Sequence, residues 1–139
     1  MFTKKIAAAL VLSVATALPA LARAAPSDSS AHCILKEHRV TKVQPLRVTE
    51  RYGRGSSERL VGAQVFVQAE PGLTAEWLQL TIQRHMAQMG GSGMKDCALD
   101  AKDVRVSVES AGAGFAVKIT GKDATQAKEI LRRAQLLGG

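Results

Sequence analysis

The chain has 139 residues, a formal charge of +7 and 46% hydrophobic side chains, with two cysteines, three histidines and a single tryptophan. This is one domain's length, with enough apolar material for a modest core. After the first two dozen residues no stretch is long and apolar enough to cross a bilayer, which excludes a membrane span in the mature chain.

Residues 1–24 read as a secretory signal peptide. Lys4 and Lys5 supply the positive start, and residues 6–18 form an apolar run that Pro19 breaks. Small-x-small cleavage sites end at Ala22 and at Ala24, and the second is preferred. Cleavage there leaves 115 residues and removes Lys4, Lys5 and Arg23, so the charge falls from +7 to +4. The expected compartment is the periplasm, or the medium beyond it. Residues 25–38 read as a flexible N-terminal arm, and residues 39–139 as a single α+β domain.

From Arg39 the chain is extended. Pro45 marks an edge or a bulge. Leu46, Val48 and Tyr52 then alternate with Arg47, Thr49 and Arg51, the pattern of a half-buried strand. Residues 53–57 read as a loop. Residues 60–69 form a second strand with Val61, Ala63, Val65 and Val67 on one face. Phe66 falls on the other face, which points to a central strand covered on both sides. The basic residues Arg39, Lys42, Arg47, Arg51, Arg54 and Arg59 cluster in this part of the chain. Aromatic interleaving is missing, so they read as a solvated face with weak attraction for anions, and no specific nucleic-acid binding is expected.

Pro71-Gly72 ends the strand, and residues 73–89 form a helix. Thr74 is its N-cap, Leu73 and Leu78 have the spacing of a hydrophobic staple, and Glu76 suits the first turn. Ala75, Leu78, Ile82, His85 and Met89 fall on one stripe, with Met86 at its margin. Trp77 and Leu80 lie off the stripe. The glycine run 90–93 ends the helix. Residues 103–110 form a third strand with Val104, Val106 and Val108 inward. Residues 111–114 turn the chain into a fourth, with Phe115, Val117 and Ile119 inward. Asp123 and Gln126 form a capping box for a last helix. Its apolar stripe is Ala124, Ala127, Ile130, Leu131, Ala134 and Leu137, with Lys128, Arg132 and Arg133 facing water. The order ββαββα gives an α+β two-layer sandwich, an antiparallel sheet with two helices on one face.

Cys33 and Cys97, an even count in an exported chain, are expected to form a disulfide. His85, Met86, Met89 and Met94 form the one constellation with chemistry to offer, with His32 nearby once the cysteines meet. Imidazole and thioether donors suit copper(I) or silver(I) better than hard cations. The blander reading makes Met86 and Met89 gap-filling core residues and His85 a core-edge histidine. No nucleophile elbow, zinc-protease, P-loop or dinucleotide motif is present, so a small envelope enzyme ranks last. The leading expectation is a non-enzymatic exported binding or accessory domain that engages an envelope protein or an anionic envelope component. The alternative is a copper-binding protein using the His and Met cluster.

Overall fold

A computed structural model describes residues 32–89 and 93–139. The signal peptide expected at 1–24, the first part of the arm (25–31) and the centre of the glycine loop (90–92) lie outside the described residues. The remainder of the arm is folded. Ile34–Glu37 form a 3-10 turn whose Ile34 and Leu35 are buried. Cys33 just before it is bonded to Cys97, with α-carbons 5.3 Å apart across a sequence separation of 64. In the chain-entropy account a closure of that length stabilises by about 4 kcal/mol.

The elements are β1 (Val40–Tyr52), β2 (Gly55–Gln68), α1 (Ala75–Met89), β3 (Arg105–Ala111), β4 (Gly114–Thr120) and α2 (Ala124–Gln135). The sheet order is β1-β2-β4-β3, and each neighbouring pair is antiparallel. This is the expected α+β architecture in the expected order. β2 and β3 therefore run parallel with β4 inserted between them, and α1 makes the crossover. α1 packs on β3 and α2 chiefly on β2.

One face of the sheet builds the core. Ala63, Val65 and Val67 of β2 stand opposite Ile119, Val117 and Phe115 of β4, and all six are buried. Leu78 and Ile82 of α1 and Ile130 and Ala134 of α2 complete the same cluster. Val104, Val106, Val108 and Leu131, expected among the core, are half-buried and pack against its margin, the valines on or just before the edge strand β3 and Leu131 on α2. The other sheet face has no second layer among the described residues, so β2 is internal to the sheet but covered on one side only. Phe66 on that face is half-buried, with the Lys42 ammonium 5.8 Å from its ring centre.

The helix starts follow the sequence. Thr74 Oγ1 accepts from the Trp77 N–H at 3.1 Å, and Asp123 Oδ1 accepts from the Gln126 N–H at 2.8 Å. Gln126 Oε1 returns the bond one residue early, to the Lys122 N–H at 2.7 Å. β3 begins at Arg105 and not at 103 because Asp103 takes a left-handed φ of 56°. Arg133, expected to face water, is half-buried. Its guanidinium donates to the Cys97 carbonyl at 3.3 Å, tying α2 to the disulfide loop.

The two sheet edges differ. On β3, the outward peptide groups of Val106 and Val108 meet the side chain of Gln79 from α1. Its amide nitrogen donates to the Val106 carbonyl at 3.0 Å, and its oxygen accepts from the Val108 N–H at 2.7 Å. One glutamine thus stands in for part of a strand neighbour, bonding one carbonyl and one N–H of that edge. Replacing Gln79 with Ala is expected to cost about 1–3 kcal/mol, the penalty for stranding partly buried backbone groups. It should also speed hydrogen exchange of the Val108 amide, and an unchanged rate would show that Gln79 is not its partner.

Candidate functional site

Strand length sets the site. β1 and β2 are 13 and 14 residues long, whereas β3 and β4 have 7 each. β4 pairs with β2 only from Gly62 to Gln68. Beyond that point β1 and β2 run on together as a two-stranded ribbon to the turn Gly53-Arg54, Tyr52 pairing with Gly55. The loop expected at 53–57 is therefore a tight turn, and residues 55–57 belong to the strand. Gly53, at φ 58°, supplies the left-handed residue that such a hairpin turn needs. The pairing slips by one residue between Leu46 and Arg47, where the ribbon leaves the sheet. Every residue from 47 to 59 is exposed except Glu50, which is half-buried.

The ribbon is basic, with Arg47, Arg51, Arg54 and Arg59 against Glu50 and Glu58. On one face Glu50 accepts from the Tyr52 hydroxyl and pairs with Arg59 at 2.6 Å. The Tyr52 hydroxyl, and then Arg59, hold the Glu50 carboxyl below its usual range, and the same bond pushes the Tyr52 phenol up. On the opposite face Arg47 and Arg51 form no ion pair among the described residues. At the ribbon's base lies an open cleft of about 790 Å³. Its floor includes Val48, Val61 and Val104, and its rim carries Arg59, Arg105 and Lys122, with Asp103 4.0 Å from Lys122.

The His and Met cluster is placed differently. His85 is 3% exposed and Met89 5% exposed, so both lie in the core beneath α1. Met86 is half-buried, and it lines with Met89 a cleft of about 200 Å³ next to Leu99, Asp100 and Val104. Met94 lies in another cleft, of about 150 Å³, beside the Cys33–Cys97 bond with His32 and Lys36. The fold therefore gathers His85, Met86 and Met89 at one helix end and sets Met94 by the disulfide. Among the described residues no three His, Cys, Asp or Glu side chains are grouped to hold a metal ion.

Like both ring nitrogens of His38, the Nε2 of His85 is buried without a hydrogen-bond partner among the described residues. Burial pushes its pKa down, and the charges of Glu37 and Asp100 push the other way without reversing the shift. On α1's outer side Trp77 and Leu80 are 51% and 62% exposed, and the Trp77 ring meets His38 edge-on with centroids 6.4 Å apart. Comparison of the chain with protein-family models, with curated proteins and with solved structures finds no match.

The lowered His85 pKa makes stability pH-dependent. The unfolded chain takes up this proton near pH 6.5, before the folded one does. The contribution is complete above that pH and is lost as the pH falls below it. Replacing His85 with Leu should flatten the fall in denaturant midpoint between about pH 7.5 and 5.5. Equal falls in variant and parent would mean that His85 is not the group responsible.

Proposed function

We propose that this protein is an exported, non-enzymatic binding domain that takes an anionic envelope partner on the β1–β2 ribbon. The observation that carries this reading is the ribbon's lack of cover. An isolated two-stranded ribbon is only marginally stable in water, yet this one holds its arginines and Tyr52 clear of the sheet on both faces. Ordering such a segment costs conformational entropy that its own burial does little to offset. A partner laid against it supplies the missing contacts. Two features favour export: the leader-like pattern of residues 1–24, and a disulfide of the kind that persists in oxidising compartments.

Poly-glutamate is a suitable first probe, because it presents carboxylates without a defined fold. The protein should bind it at low salt and release it as salt rises. The triple variant Arg47→Gln, Arg51→Gln, Arg54→Gln should bind at least tenfold more weakly with its melting temperature little changed. Equal binding by parent and variant would remove the ribbon as the working surface.

One observation favours a second reading, a soft-metal site for copper(I) or silver(I). The His85 Nε2 has no hydrogen-bond partner among the described residues, and a buried polar atom in that state calls for an explanation. Met89 lies one turn further on the same helix face, with Met86 beside it. Both His85 and Met89 are buried, so metal uptake requires the end of α1 to loosen. On this reading the protein competes for copper(I) with a chelator of micromolar affinity, and His85→Gln or Met89→Leu abolishes the competition. Identical behaviour of parent and variants would leave these residues to the core.

A further inference from the structure

We infer that the ribbon's partner is an extended acidic peptide segment, which adds as a new strand to the outer edge of β1 between Arg47 and Arg51. This rests on the ribbon reading above and specifies how the partner is held.

The backbone argument comes first. A two-residue turn makes its flanking residues, Tyr52 and Gly55, a hydrogen-bonded pair. Alternation along β1 then turns the peptide groups of Glu50 and Val48 toward β2. Those of Arg51, Thr49 and Arg47 face outward, with no strand beside them among the described residues. On the opposite edge of the sheet Gln79 already occupies the Val106 carbonyl and the Val108 N–H. Toward the sheet's centre the next outward-facing residue is Pro45, which has no N–H to offer, so strand addition stops there. The open edge is thus a short window with three N–H and three C=O groups.

Side chains specify the occupant. Arg47, Thr49 and Arg51 share one face of the ribbon and are exposed. Glu58 stands across from Thr49 on β2, so the face keeps more positive than negative charge at its open side. An incoming strand with acidic residues four apart sets one against each arginine, where opposite charges on adjacent strands stabilise the pairing. A second copy of this chain fits poorly. Twofold antiparallel pairing about Thr49 would place Arg47 against Arg51 of the other copy, and like charges directly opposite are destabilising.

The test uses a blocked heptapeptide of sequence Glu-Val-Thr-Val-Glu-Val-Thr and its analogue with Lys in place of Glu, titrated into the purified protein. The acidic peptide should bind and the Lys analogue should not. Thr49→Pro removes one outward N–H and no charge. It should weaken the acidic peptide at least tenfold while leaving poly-glutamate binding intact. Hydrogen exchange of the unmodified protein gives a readout independent of that variant: the peptide should slow the amides of Arg47, Thr49 and Arg51. Equal binding of both peptides, unchanged exchange at those three amides, or full peptide affinity in Thr49→Pro would overturn strand addition. With poly-glutamate still bound, any of these results leaves the ribbon reading standing. Loss of poly-glutamate binding from the unmodified protein would remove both.

Discussion

The mismatch in strand length governs this molecule. Two long strands are paired with two short ones, so β2 has neighbours on both sides over only half its length. Over that half it contributes the core residues Ala63, Val65 and Val67. Over the other half β1 is its one neighbour among the described residues, and neither helix covers it. The ribbon's exposure is a direct consequence. The slip in pairing beside Leu46 and the presence of Gly62 mark the transition. A Cβ at Gly62 would run into the Ile119 carbonyl, so only glycine lets β2 and β4 approach so closely there.

The core half is closed with economy. The crossover through α1 brings the helix against β3, where Gln79 bonds the Val106 carbonyl and the Val108 N–H of the edge. α2 lies over β2, and its Arg133 reaches the carbonyl of Cys97. The disulfide holds the chain's first described turn against the same region, so Leu35 is fully buried although it precedes every strand. Local order at residues 33–37 thus comes from a distant cysteine, since a four-residue 3-10 turn has little stability of its own.

Periodicity explains what could be read in advance. Leu78, Ile82, His85 and Met89 recur at helical spacing, and all four are buried. Phe115, Val117 and Ile119 alternate at strand spacing and face inward. The caps at Thr74 and Asp123 are local hydrogen bonds, legible wherever the residue type and spacing agree. The ribbon was not legible for an equally physical reason. Alternation of Leu46, Val48 and Tyr52 states that a strand forms and which side chains share a face. It does not state whether a neighbour or a helix lies against that face, and here Tyr52 is 64% exposed. The burial of Arg133 was hidden in the same way, because helical spacing cannot show a carbonyl arriving from another segment.

His85 and the ribbon lack partners in different ways, and the difference bears on function. His85 Nε2 is an atom orphaned inside a packed core. It affects stability directly, because protonation there competes with folding. The ribbon is orphaned at its surface: its outer backbone edge, Arg47 and Arg51 are exposed to solvent, so leaving them unpaired costs far less. A surface of that kind can wait for a partner without weakening the fold that carries it, since the core ends where β4 ends. Separating the exposed ribbon from the packed half lets side chains at positions 47–59 vary with little effect on Val65, Val117 or Ile82. Binding chemistry and fold stability are thereby placed on different stretches of the same two strands.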